Sequence, residues 1–155
     1  MRVYLPATAA DLSAPQIGPR TAYAVTPALA RALPDEDEEA LEASAGLCAA
    51  DASLTLLAAP GAEALADRRI VIAADVGTAQ VTEPEASGDA LPGTVRVKTP
   101  VAWEAVAALL VDERAAEADV RAARTGDEAA FERAAEADLL WYDVTEREPL
   151  AAELA

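Results

Sequence analysis

The sequence predicts a single α/β or α+β domain over residues 1–155, with about six short strands in a mixed sheet covered by helices. Three observations lead there. Short apolar runs rich in β-branched residues, such as Ile70-Val71-Ile72-Ala73-Ala74, alternate with segments whose apolar residues recur every three or four positions. Thr, Asp and Pro stand where one pattern gives way to the other. A chain of 155 residues suits one hydrophobic core, since folding at this size buries roughly 68–70% of the surface the unfolded chain exposes.

Taken in order, Val3-Tyr4-Leu5 opens the chain as a strand, and Thr8 with Asp11 has the spacing of a capping box for a brief helix. Pro15, Gly18 and Pro19 end it before a second strand at 21–25. Thr26-Pro27 then places a hydroxyl cap ahead of a proline at the first helical position. The run Asp35 to Glu39 is wholly acidic and suits the positive end of a helix dipole. Leu41, Ala45, Cys48, Ala52 and Leu56 follow at helical spacing, which predicts a helix over 36–58 that Gly46 weakens. Ile70 to Ala74, apolar on both faces, reads as a central strand between helical layers.

Residues 77–93 lack any periodic apolar face and predict a long exposed, flexible loop. Val95 and Val97 alternating with Arg96 and Lys98 mark a half-exposed strand. Thr99-Pro100 repeats the earlier junction and predicts a short helix carrying Trp103, Val106 and Ala107, followed by a buried strand at 108–111 that ends at Asp112. Two helices are expected next. One lies near 114–124 with Glu117 and Arg121 paired at i,i+4, and one is capped by Thr125 with Glu128 three residues on. Leu139 to Val144 forms the last strand, and the residues after Pro149 are expected to fray. Residues 1–76 and 94–145 share a coarse order of strand, turn, strand, helix and strand. Duplicated halves joined by the 77–93 loop and one ordinary six-stranded sheet both account for it.

Composition excludes several chemistries. Histidine is absent, which removes Ser–His–Asp and Cys–His catalysis and the usual zinc and iron sites. The net charge of −16, from 28 acidic and 12 basic side chains, opposes nucleic acid and anionic membranes; an acidic face could meet a basic protein, mimic nucleic acid or, most simply, only keep the chain soluble. Cys48 is the one cysteine and reads as a small buried hydrophobe in a reducing cytoplasm. The opening MRVYLPATAADL meets Pro6 and Asp11 before any apolar stretch, unlike a signal peptide, and no apolar run approaches the ~18 residues of a membrane span. A cytoplasmic location follows as the expectation. The prevalence of Ala, Arg, Asp, Glu, Gly and Pro, with no Asn and only Lys98, points to a GC-rich bacterial genome.

The segments MRVYLPAT, TAYAVTPAL, RRIVIAADV and LLWYDVTE, in this order and spacing, resemble a family of small acidic actinobacterial proteins known only as a domain of unknown function. The resemblance spans nearly the whole chain. It implies a cytoplasmic actinobacterial protein and carries over no catalytic residue, cofactor or substrate.

Candidate site residues come from position alone. Asp75, Asp112 and Asp143 each stand at or near a strand end; if those strands were parallel neighbours, their carboxylates would converge in the crevice where open α/β sheets bind ligands and could hold Mg²⁺. The plainer role of each is a turn or cap residue. Tyr4, Tyr23, Trp103 and the pair Trp141-Tyr142 are scarce aromatics available to wall a pocket or fill a core poor in large side chains, while Arg2 and Arg96 are the candidates for binding an anion. No Walker loop, GxGxxG, CxxC, HExxH, EF-hand loop or GxSxG occurs, so no cofactor is expected. A non-catalytic interaction or regulatory protein is the leading reading; the alternative is a ligand-binding domain or small enzyme with a carboxylate site at the strand ends.

Overall fold

A computed structural model of the chain describes residues 1–84 and 90–155. Its strands are β1 (Arg2–Ala7), β2 (Arg20–Tyr23), β3 (Ile70–Asp75), β4 (Val81–Thr82), β5 (Thr94–Val97), β6 (Val106–Asp112) and β7 (Leu139–Tyr142). They form one sheet in the order β4-β5-β2-β1-β3-β6-β7. Its helices are α1 (Ala9–Leu12), α2 (Pro27–Ala32), α3 (Glu38–Leu57), α4 (Glu117–Arg124), α5 (Glu128–Glu136) and α6 (Arg147–Glu153). The class is α+β. Every strand pairing is antiparallel, where a mixed sheet was expected. The reason lies in one crossover. β2, α3 and β3 make a strand–helix–strand unit of the kind that yields parallel strands, but β1 is inserted between β2 and β3 and pairs antiparallel with both.

Alternation along the strands then builds two apolar faces. Val3, Leu5, Ile70, Ile72, Leu109 and Val111 point to one side, where Leu12 of α1, Ile17, Trp103, and Leu150 and Leu154 at the chain's end cover them. Tyr4, Val71, Ala73 and Ala108 point to the other, under Leu29 of α2 and Leu41, Ala45, Ala49 and Ala50 of α3. Alanine at three of those α3 positions lets the helix backbone approach the sheet closely. Past the sheet's end, Leu54 and Leu57 of α3 meet Val120 of α4 and Ala134 of α5.

Polar groups lock this arrangement. Ser53 Oγ donates to Ala7 O at 2.7 Å and accepts from Ile70 N–H at 3.0 Å, which ties α3 to β1 and β3 at once. Arg124 donates to the carbonyls of Leu57, Ala62 and Leu65, satisfying the C-terminal end of α3 and the segment after it. Gly93, at φ 92°, accepts from Ala24 N–H at 2.9 Å; an added Cβ would stand 3.0 Å from Ala24 O, so the turn into β5 needs glycine.

Several local expectations hold and several do not. Asp11 accepts from Thr8 N–H and Thr26 Oγ1 from Leu29 N–H, as their spacings predict. Thr99-Pro100 starts no α-helix: Val101 bridges to Ile17, a 3-10 turn at Trp103–Ala105 follows, and β6 already begins at Val106. Asp127, not Thr125, caps α5, and Glu117 and Arg121 bind Arg68 and Asp67 instead of each other. The 77–93 segment contains a 3-10 turn at Thr78–Gln80 and edge strand β4; its centre, 85–89, lies outside the described residues. The residues beyond Pro149 do not fray, because α6 buries Leu150 in the core.

Candidate functional site

The same crossover that sets strand order leaves a surface open. α3 lies chiefly over β1 and packs against β3 on one side and β2 on the other, its flank standing beside the exposed side of β2. The flank of α3 and the exposed side of β2 thus enclose an open groove of about 920 Å³. Thr21 and Tyr23 form its floor, and Cys48, Asp51, Ala52, Thr55 and Leu56 its helical wall. Phe131 of α5 and Pro60 close one end, and Leu91 stands at the rim.

The apolar wall follows from how α3 spends its charges. Glu38, Glu39 and Glu42 are gathered at its start, and from 43 to 57 the only charge is Asp51. By length and composition this is the one helix among the described residues that matches a membrane span, with mean hydropathy 1.3 in an 18-residue window, although the apolar runs in the sequence are all short. It is packed on the sheet with 39% of that window buried, and Leu47 and Leu56 remain exposed. A helix apolar on nearly all sides but covered on one has a face without a partner.

Asp51 is half-buried in this wall and, among the described residues, makes no side-chain hydrogen bond or ion pair. Burial raises its pKa against the opposing pull of Arg69. Burial, and then the Asp51 charge, pushes the Cys48 thiol up; burial, Cys48 and Asp51 do the same to the Tyr23 hydroxyl. All three groups are biased to their neutral forms. At the rim, by contrast, Arg20 and Asp11 are saturated: the guanidinium makes contacts of 2.8 and 3.1 Å to the carboxylate and donates to Pro6 O and Gly18 O.

The three aspartates do not converge. β3 and β6 run in opposite directions, so Asp75 and Asp112 lie at opposite ends of the sheet. Asp112 is fully buried against Arg69 at the start of β3. Asp75 is held below the usual carboxylate range by its hydrogen bonds from Arg2, at 2.7 and 3.0 Å, which also occupies the Arg2 guanidinium. Asp143 accepts from Thr145 N–H, which lowers its pKa, and caps the turn Val144–Glu146. Among the described residues no three acidic or sulfur ligands are grouped to hold a metal ion. Tyr4 and Tyr23 are register partners, but Tyr4 is buried under α3 and only Tyr23 reaches the groove. Arg96 is exposed on β5 opposite Thr21. Trp103 fills the first core with its indole N–H donating to Ala14 O, whereas Trp141 is exposed on edge strand β7.

A model of a family of unknown function matches residues 1–151. The chain belongs to that family, DUF6912. The match takes in all four segments that carry the resemblance described above, and it assigns DUF6912 members no substrate and no site. No curated protein and no solved structure matches the chain. Geometry therefore has to nominate the residues of interest in this member of DUF6912, and it nominates Asp51, Leu56 and Phe131 beside Tyr23. Sequence reasoning passed over the first three. The legible signal was Asp51 itself, a lone charge in a helical stretch otherwise free of them.

Proposed function

We propose that the protein is a non-catalytic cytoplasmic interaction protein whose groove receives a segment of a partner protein, apolar side chains against Leu56 and Phe131 and a Lys or Arg against Asp51. The observation that carries this reading is an apolar groove holding one carboxylate without a partner. Exposed apolar side chains gathered at a concave surface are the ordinary mark of a protein-binding site. A net charge of −16 favours a basic partner. Against catalysis stands the bias of Cys48 and Tyr23 toward neutrality, since a nucleophilic thiol needs its pKa depressed.

The raised pKa of Asp51 supports a second reading, a small-molecule site in which this carboxylate accepts a proton or a hydrogen bond. One experiment separates the two. A photo-crosslinker attached at Cys48, the sole cysteine, is irradiated in lysate of the source cell, with Asp51→Lys as control. A discrete polypeptide adduct lost in the variant supports the partner reading. Absence of any adduct, together with a rise in melting temperature on adding small apolar amines, replaces it with the second.

A further inference from the structure

The far edge of the sheet, on the opposite side from β4, is β7. Its four residues, Leu139-Leu140-Trp141-Tyr142, pair with β6 along one side only. Edge strands are ordinarily blunted by short length, charged side chains, Pro, a bulge or a covering helix. β7 is short, at four residues, but it holds no charge and no Pro, its register with β6 has no bulge, and its outward backbone groups have no strand partner among the described residues. Trp141 is 63% exposed and Leu140 43%. Their register partners, Leu110 and Val111, belong to opposite faces, so the edge offers one large apolar side chain on each side of the sheet.

The ends of this strand are acidic. Glu136 and Asp138 precede it, Asp143 and Glu146 follow, and the neighbouring cations are already engaged: Arg133 with Asp119 at 2.9 Å, and Arg147 stacked 4.4 Å over Trp103 while donating to Leu12 O.

We infer that β7 is a docking edge for an extended segment of another protein, which adds as an eighth strand and is apolar in its middle with Lys or Arg at its ends. An open ladder of N–H and C=O groups, otherwise left to water, can be paired along its length by another strand, and the side chains above and below it set which sequence is accepted. The acidic flanks supply the complement for basic ends. They also disfavour a second copy of this chain, because centred antiparallel pairing of β7 with itself would set Asp138 of one copy beside Asp143 of the other.

The test uses the full chain and a library of short random peptides selected for binding. Enriched peptides should carry an apolar core and basic ends, and their affinity should fall about tenfold or more in Trp141→Lys and Leu140→Lys, as for anchor residues of an interface. Both positions are exposed, and unchanged circular dichroism and melting would show that the variants fold. Bound peptide should slow amide exchange at 139–142, weaken with added salt, and act equally on Asp51→Lys, which separates this edge from the groove. Peptides with acidic ends binding as well, enrichment that ignores positions 140 and 141, or protection that appears elsewhere would each overturn the proposal. So would concentration-dependent dimerisation abolished by Trp141→Lys, since a second copy would then be the occupant.

Discussion

The Arg69 guanidinium and the Asp112 carboxylate have side-chain exposures of 1% and 0% and meet through hydrogen bonds of 2.8 and 2.7 Å, with the Arg69 amide donating a third at 2.8 Å. Removing one charge strands the other in the core, so Asp112→Leu or Arg69→Met alone should cost about 3–5 kcal/mol in urea unfolding, and the two together much less than the sum. A double variant as unstable as the sum would mean the pair is not what the site requires. Asp112 was visible in the sequence as an acid ending a strand, but its partner was not, because the register of β6 on β3 is set by tertiary packing. Asp51 gives a prediction of the opposite sign. Burial raises its pKa in the folded chain, so the folded state keeps a proton over a pH range where the unfolded state has lost it. Stability contributed by this group therefore falls as pH rises through that range. Asp51→Asn should melt above wild type at pH 7, and the difference should close as pH falls from above the ordinary carboxylate range down to it. A difference constant with pH would remove the carboxylate's charge as its cause.

Among the elements, α3 depends on a single hydroxyl more than its length suggests. Ser53→Ala leaves Ile70 N–H and Ala7 O without that partner inside the core, and the expected cost is about 1–3 kcal/mol in chemical denaturation. α6 is held differently, by apolar burial of Leu150 and of Leu154 just past its end, with Arg147 anchoring its start on Trp103 and Leu12 O. Leu150→Ala should cost about 2–5 kcal/mol, the range for a buried leucine, and a value near zero would mean the helix is dispensable to the core. Helix starts written into adjacent residues were legible: the bond from Thr8 N–H to Asp11 and the Thr26 cap both form. Signals of the same chemistry failed where tertiary contacts competed. Thr99-Pro100 is drawn into the bridge of Val101 with Ile17, and Asp127, two residues beyond Thr125, is the better-placed cap for α5.

At the scale of the molecule, strand positions could be read from periodicity but their order could not, because nothing local announces that β1 lies between β2 and β3. The groove went unseen for the same reason, since its two sides, the flank of α3 and the exposed side of β2, meet only through the tertiary arrangement. The charge of −16 is a property of the whole and predicts its own effect. Self-repulsion destabilises the folded state and salt screens it, so the melting temperature should rise as sodium chloride is added up to a few hundred millimolar. Magnesium at matched ionic strength should add nothing further; a magnesium-specific rise would mean that carboxylates do gather around an ion. The two tryptophans, finally, stand at opposite extremes of the fold: Trp103 is enclosed beneath Arg147, at the start of α6, and Trp141 is in water on β7. Fluorescence emission should therefore be the sum of a blue component that acrylamide scarcely quenches and a red one that it quenches readily. Detachment of α6 would redden the first without touching the second, and occupation of β7 would shift the second to the blue. One unlabelled sample thus reports by colour on the closure of a sheet face and the occupancy of a sheet edge.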